Sequence, residues 1–587
     1  MTWQQLYETP VPAAEAIVDV LISAGIKYVF GLSGGHTGRI FGALEKRQNQ
    51  IRTILVREES LGAVMAETVG RMTGVPGVLL GQGPWVLGNG MLGTIEAHLS
   101  SSPMLLLTDF SDTPGYALHA PYQSGTGEYG NWDARQAFAA ITKQVFTADA
   151  PNPAVIGTQL AIKHALAGTP GPVAMIYGLR ALDGTAGGDS VPRIYPTAPY
   201  ITAANPGLPA LRPALDLLGR AARPLIIAGN GVRVGAAEDA LTRFADKTGI
   251  PVVTSPAGKG VFDDNFPQSC GVYGGYGNPL ANCAVGRADV ILAIGTKLSA
   301  SDTVQANPDL IDPTRQALIQ IDIEPRNASW TLPATQTLIG DAAAILDALT
   351  AQWPDGPASD GWHRALSAPL TAPLPSSAPG ATSIYPHEII QAMQDTLPPR
   401  TIYTCDAGEN RIFMLHCLRT QGTGKFIQPA GAGPMGYAVP SAMARKLLSP
   451  DSPVVAFCGD GGFSMTMNGL LTAVEAALPV LCVVMNNDAL GWSQHSRGPF
   501  ATQFNRVDYA AIARGMGCDS YSAAGRDELT DALTQAVDAM RTNKRPAVID
   551  VRTSMDVSFA RLAYSETRAL GLTQADAPTS EPSHDIA

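Results

Sequence analysis

The chain has 587 residues, few of them charged (16%), with 60 glycines, 45 prolines and a net charge of −11. That length exceeds one ordinary domain, and the composition suits compact, turn-rich domains rather than disorder. The acidic balance without a basic cluster argues against nucleic acid or an acidic membrane surface as partner, and seven scattered cysteines without a CxxC pair argue against a structural zinc site.

The cysteine usage fits a reduced, cytoplasmic setting. The start, Met1-Thr2-Trp3-Gln4-Gln5, has no basic n-region or long apolar core, so no signal peptide is expected. No stretch approaches the ~20 consecutive apolar residues of a membrane span. Two Pro-rich stretches, Gly187 to Pro213 and Trp353 to Pro386, read as extended linkers. They separate three pieces, 9–186, 206–355 and 384–560, followed by a tail over 565–587 that is expected to be mobile. Each piece alternates short apolar runs with amphipathic helices. The pattern predicts an α/β protein of three doubly wound parallel-sheet domains.

In the first piece the pattern predicts a helix over 13–24, a strand over 27–30 and the turn Gly31-Leu32-Ser33-Gly34-Gly35-His36. A helix over 37–46 and a strand over 52–56 follow. Glu58 and Glu59 open a helix that runs to Met72. A strand over 77–80 leads into Gln82-Gly83-Pro84-Trp85, a helix over 88–99 and a strand over 103–108. On local sequence Glu59 is a favourable partner for its helix dipole, and His36 lies in a strand-to-helix turn at the edge where such sheets bind ligands.

The middle piece has a strand over 224–228 running into Gly229-Asn230-Gly231 and an apolar run ending at Thr254. Next come Tyr273-Gly274-Gly275, a strand over 289–294 with Gly295-Thr296-Lys297, a strand over 319–323 containing Asp322, and Gly340-Asp341. In the third piece a helix over 388–395 and a strand over 401–404 reach Asp406-Ala407-Gly408-Glu409-Asn410, and Met435 sits within Ala432 to Pro440. A buried strand over 453–458 then ends at Gly459-Asp460-Gly461-Gly462. A helix over 463–478 and a second strand over 479–485 follow, ending on Asn486-Asn487.

Two parallel neighbours put Asp460 and Asn487 at one edge of the sheet. A carboxylate and an amide oxygen are hard ligands suited to Mg²⁺, which completes its octahedron with phosphate oxygens and water. Backbone N–H groups after Gly461-Gly462 suit an anion. The site reads as Mg²⁺ with a diphosphate.

The segment Gly459 to Asn487 resembles the diphosphate-binding motif of thiamine diphosphate (ThDP) enzymes, and the resemblance covers nearly the whole chain. It implies pyrimidine-binding, central and diphosphate-binding domains. It implies Asp460, Asn487 and the Ala489 carbonyl as Mg²⁺ ligands, with Gly408, Glu409, Asn410, Gly459, Gly461, Gly462, Leu490 and Gly491 around the cofactor. Met435 becomes the wedge between the two cofactor rings. Val56 to Gly74 is similar to the pyrimidine-domain helix, which makes Glu59 the partner of the pyrimidine N1′ in a dry pocket.

The middle turns resemble those that bind FAD in acetohydroxyacid synthases. They carry Gly229, Asn230, Gly231, Thr254, Gly274, Gly295, Lys297, Asp322 and Asp341, although many ThDP enzymes keep such turns without the nucleotide. The resemblance further implies a homodimer or homotetramer with shared active sites. Glu128 and Tyr129, in the long Phe110 to Trp132 loop, lie where relatives place substrate-facing residues.

The expected function is ThDP- and Mg²⁺-dependent C–C bond cleavage and formation on 2-oxo acids, acetolactate synthase-like, through an enamine. His36 departs from the acetohydroxyacid synthases. Its turn is similar to that of benzaldehyde lyase and cyclic diketone hydrolases, where a His moves protons; Gln82 is a second polar candidate. Together with the unusual Ser493 to Arg497 segment it points to the alternative, an acyloin lyase or a 1,2-diketone-cleaving hydrolase. A catalytically dead nucleotide-binding regulator is the third reading, and intact Glu59, Asp460 and Asn487 argue against it.

Overall fold

The computed structural model describes residues 5–110, 123–188, 193–198, 208–354, 356, 361–366, 374–378 and 380–564. Residues 111–122 of the long loop, parts of both Pro-rich stretches and the 565–587 tail lie outside the described residues. Three six-stranded sheets, every strand pair parallel, form the three domains. Parallel strands need both faces covered, so they are written as continuous apolar runs such as Val78-Leu79-Leu80 and Val454 to Cys458, all fully buried.

The first sheet comprises Tyr28–Gly31, Arg52–Leu55, Gly77–Leu80, Met104–Asp109, Gln144–Ala148 and Pro172–Tyr177. Numbered within the domain, these strands lie in the order 2-1-3-4-6-5. The third sheet comprises Ile402–Cys405, Phe426–Ile427, Val454–Gly459, Leu481–Asn486, Asp519–Ala523 and Ala547–Arg552, in the same order. The middle sheet begins at Pro224–Ala228 and ends at Gln336–Ile339, in the order 3-2-1-4-5-6. That is the nucleotide-binding doubly wound arrangement, whose strand order reverses beside the first strand.

The first and third domains share one apolar core. A single cluster joins Phe30, Leu61 and Met65 of the first to Val439, Met443, Phe463 and Leu470 of the third. A helix from each domain, Glu59–Thr73 and Ala438–Leu448, carries much of this contact. Polar groups at their junction are buried and paired with one another across it. Arg71, fully buried, donates to the Gln428 carbonyl at 2.7 Å and to the Tyr437 hydroxyl, and pairs with Glu67 at 3.1 Å. Tyr437 in turn donates to Glu67 at 2.7 Å. The middle domain is tied in by Asn230 to the Ser100 carbonyl (2.8 Å) and Arg233 to the Phe426 carbonyl (3.2 Å).

Two expected helices have other bounds. The 88–99 helix starts at Met91, and a separate short helix, Gly83–Gly88, stands where the 82–85 turn was expected; Gly88 and Gly90 flank the joint between them, and glycine costs about 1 kcal/mol in a helix interior. The 463–478 helix is two, Asp460–Thr466 and Gly469–Glu475, and it starts three residues earlier than expected. Gly461 and Gly462 therefore lie inside the first turn rather than ahead of it. None of the helices among the described residues is long and apolar enough to cross a membrane.

Candidate active site

Glu59 is the first residue of its helix and only 5% exposed. Asn89 Nδ2 donates to its Oε2 at 2.9 Å. Asn89 can do so because it stands at the helix joint just described. His36 occupies a single 3-10 turn, Gly35–Thr37. Its backbone N–H donates to Asp109 Oδ2 at 2.6 Å, and the Thr37 N–H reaches the same oxygen at 3.2 Å. The Gly83 N–H donates to Asp109 Oδ1 at 3.4 Å. Asp109, the last residue of its strand, thus fastens the His36 turn to the Gln82 turn. Burial pushes its carboxyl above the usual range, and the His36, Thr37 and Gly83 N–H groups pull it back. Gln82 Nε2 donates to Gln123 Oε1 at 3.1 Å. His36 Nε2 is shielded from solvent and has no hydrogen-bond partner among the described residues.

At the third-domain edge, Asp460 is 3% exposed. Its Oδ1 accepts the Gly461 N–H at 2.8 Å. Its Oδ2 and the Asn487 Oδ1 both lie 3.2 Å from one donor, the Ala489 N–H. Two oxygens just past the ends of different strands therefore converge on one long donor. Burial pushes the Asp460 carboxyl up to about 6. An oxygen pair so poorly supplied with protons is what a hard cation completes. No group of three His, Cys, Asp or Glu side chains among the described residues could hold a metal, so any cation here rests on this carboxylate–amide set.

The neighbouring turn is organised by carboxylates. Glu409, 3% exposed, accepts the Phe559 N–H at 3.0 Å, and its Oε1 lies 2.9 Å from His495 Nδ1. The pairing with Glu409 raises the His495 imidazole above its usual range. Gly491 packs closely on this carboxylate: a Cβ there would stand 2.3 Å from Glu409 Oε2, so a larger residue would shift the Glu409 side chain. Asn410 Nδ2 reaches the carbonyls of Asp406 (3.4 Å) and Phe457 (3.3 Å), so its amide holds the two strand ends together. Asp406 accepts the Ala438 N–H at 2.6 Å, and the Gly436 and Tyr437 N–H groups also favour its charged form. Burial pushes this carboxyl up to about 7. Met435 is half-buried in the loop just before Tyr437.

Between the middle and first domains runs a cleft of about 750 Å³. Asn230, Gly231, Gly295, Lys297, Asp322 and Asp341 line it as the turn pattern implied; Gly229, Thr254 and Gly274 do not. Asp341 caps its helix by accepting the Ala344 N–H at 2.8 Å, and Asp322 accepts the Glu324 N–H at 2.9 Å. Of the two loop residues singled out, Tyr129 is 91% exposed and Glu128 sits in a tight turn with Asn131.

The structure thus gathers Glu59, His36 and Gln82 at one sheet edge and Asp460, Asn487 and Ala489 at another. No hydrogen bond or ion pair among the described residues connects the two. Asp109, Asn89, Asp406 and His495 were not anticipated. Asp109 and Asp406 were within reach, since each is a polar residue closing a buried apolar strand, the same signal that marks Asp460.

These domains match family models in order. Residues 12–126 match the N-terminal TPP binding domain of thiamine pyrophosphate enzymes, 211–349 their central domain and 406–551 their C-terminal TPP binding domain. The chain belongs to the thiamine pyrophosphate (ThDP) enzyme family. It is 30% identical over 566 residues to the acetolactate synthase large subunit of Parasynechococcus marenigrum, covering 92% of this chain and 87% of that one. It is 28% identical over 558 residues to a probable acetolactate synthase large subunit of Methanocaldococcus jannaschii, covering 92% and 91%. An acetolactate synthase of Mycobacterium bovis is 27% identical over 557 residues, covering 92% and 87%. Within the family, then, it is a ThDP-dependent enzyme similar over nearly its whole length to the acetohydroxyacid synthase group.

Proposed function

We propose that this protein is a cytoplasmic ThDP- and Mg²⁺-dependent carboligase that cleaves and forms C–C bonds in 2-oxo acids in the manner of an acetolactate synthase. The observation that carries the reading is the buried Glu59 at one sheet edge matched by the converging Asp460 and Asn487 oxygens at the other.

The donor set fits Mg²⁺ and a diphosphate. Asp460, Asn487 and the Ala489 carbonyl would hold the cation, phosphate oxygens and water completing its shell. ThDP, when bound, supplies a carbon nucleophile and a sink for the electron pair released when a C–C bond breaks. The chain's own residues position it and move protons. Asn89 fixes Oε2 of Glu59, which leaves Oε1 to exchange a proton with the pyrimidine N1′ in a water-poor pocket. Met435 would serve as the apolar wedge between the two cofactor rings. His36 Nε2, without a hydrogen-bond partner among the described residues, passes protons to and from substrate oxygen, with Gln82 in the adjoining turn.

Glu59 and Met435 would serve different copies of the cofactor. Arg71 and Thr68, toward the C-terminal end of the Glu59–Thr73 helix, meet Tyr437, two residues from Met435. Glu59 stands at the opposite end, twelve residues or about 18 Å away. A second copy of the chain supplies what each half lacks, so a dimer is the smallest active unit and a tetramer a pair of them. Exposed apolar side chains rim both halves, with Trp85 and Leu92 near Asn89 and Phe504 beside Gly461, which supports burial against a second copy. The 750 Å³ cleft has room for a nucleotide such as FAD.

His36 favours a second reading, cleavage of an acyloin or a 1,2-diketone, because its Nε2, without a hydrogen-bond partner among the described residues, has work to do there on water or a leaving carbonyl. Product analysis with ThDP and Mg²⁺ decides. CO₂ and acetolactate from pyruvate support the first reading. No pyruvate turnover, with aldehydes or acids released from an acyloin or diketone, supports the second. An absorption spectrum of the purified protein reports flavin.

A further inference from the structure

Glu96 is a buried carboxylate outside the two edges that is held by backbone N–H groups of another domain. It lies on the Met91–Leu99 helix of the first domain and is fully buried. Its carboxylate accepts four successive backbone N–H groups of the third domain. Ala430 (2.5 Å) and Gly431 (3.0 Å) donate to Oε1, Ala432 (2.8 Å) and Gly433 (3.1 Å) to Oε2. Consecutive amides turned onto one anion form a nest, and here the anion is a side chain of another domain. Its nearest cation, Arg71, is 4.0 Å away and is held closer by Glu67. The four amides are thus the main compensation for the buried charge, and without the charge four N–H groups would lose their acceptor.

The strap so gripped runs directly into Pro434-Met435. It is also pressed against the helix that carries Glu96. A Cβ at Gly431 would stand 2.3 Å from Leu99 Cβ, so the approach needs glycine.

We propose that Glu96 is a positioning residue for the cofactor, fixing the Ala430–Gly433 strap so that Met435 is presented to ThDP at a set height. It touches neither substrate nor cofactor; it acts through Met435. The proposal rests on the ThDP reading above.

The test begins with the full chain free of cofactor. Glu96→Gln keeps the side-chain shape but turns one acceptor into an NH₂ group facing two N–H donors. Hydrogen exchange of the 430–433 amides is expected to quicken about tenfold or more, with the Glu59–Thr73 helix still protected. ThDP is then titrated in the presence of Mg²⁺ by intrinsic fluorescence, and the variant is expected to bind about 10–100-fold more weakly, as when other supporting groups behind a bound ion are lost. In a Met435→Ala background the same change should cost less than about threefold, because the wedge through which Glu96 acts is gone.

Unchanged exchange in the strap overturns the proposal, and so does an equal binding loss with and without Met435, which marks a purely structural role. Where Glu96→Gln does not fold, Gly431→Ala displaces the strap with Glu96 intact and must reproduce the binding loss; wild-type binding there also overturns it. A wild-type chain that binds no ThDP at all overturns the functional reading and this one together, and that outcome is visible before any variant is made.

Discussion

The first and third domains lay six parallel strands in one order, 2-1-3-4-6-5, and put different chemistry on the same edge. In the first, strands and turns end on Glu59, His36, Gln82 and Asp109, the groups to which the proposed function gives proton movement. In the third they end on oxygens that converge without enough donors, Asp460 and Asn487. Topology delivers an edge where side chains can meet a ligand. Which task the edge performs is set by one or two residues at the strand ends, and by what relieves their buried charge. The middle domain, ordered 3-2-1-4-5-6, presents glycine turns and a wide cleft instead.

The comparison breaks most sharply at Glu59. Glu59→Gln removes the proton exchanged at one edge and leaves the other edge intact. Turnover should fall at least ~10²-fold, while calorimetric titration with ThDP and Mg²⁺ stays near wild type; near-wild-type rates would sink the division of labour. Asp460→Ala makes the opposite cut. It should raise the ThDP dissociation constant by more than about tenfold and abolish the Mg²⁺ dependence of binding, with chelation of wild type giving the same loss reversibly. His36→Ala is a milder break in the first edge. A drop in kcat on the order of tenfold with ThDP affinity unchanged assigns it to proton movement; unchanged kcat on every donor tried would leave its turn a structural one.

The smallest expected effect sharpens the electrostatic side. Asp406 in the folded apo-protein is pushed up to about 7 by burial, against about 4 for an unfolded aspartate. Between those values the native state keeps a proton that the unfolded chain has released. Wild-type stability is therefore lost as pH rises through that window. Asp406→Asn cannot ionise, so its melting temperature should gain on wild type by about 2–4 °C for each kcal/mol of that penalty between pH 5 and 8. A constant difference across the range would show that Asp406 does not titrate there.

Much of this was legible from residue order because buried parallel strands are written as unbroken apolar runs. The strands at 77–80 and 224–228 fall on their expected bounds, and the Glu59 helix begins within a residue of its expected start. The Asp460 and Asn487 pair was readable for the same reason, each closing such a run. The break at Met467-Asn468 was not, since helical spacing continues on both sides of it, and neither was the short Gly83–Gly88 helix, whose Gly-Pro start reads as a turn. Gln144–Ala148, a half-exposed strand at the sheet's edge, leaves a weak trace in the pattern. Glu96 lies 334 residues from the first amide it grips, and no local pattern announces a contact made only when two domains close. His495 was visible only as a departure from the expected loop; its Glu409 partner comes from a strand-end turn elsewhere in the domain.

The core shared by the first and third domains has a consequence for how the molecule comes apart. Domains in one chain ordinarily slide or swing on thin, polar seams. Here there is no such seam: parting the two sheets would bare Leu61, Met65, Phe463 and Leu470 together and pull Arg71 away from Tyr437 and the Gln428 carbonyl. These two domains, though distant in sequence, form one cooperative body. A calorimetric scan should accordingly find them melting in a single transition, and a protease should find no nick that frees one from the other while it is still folded.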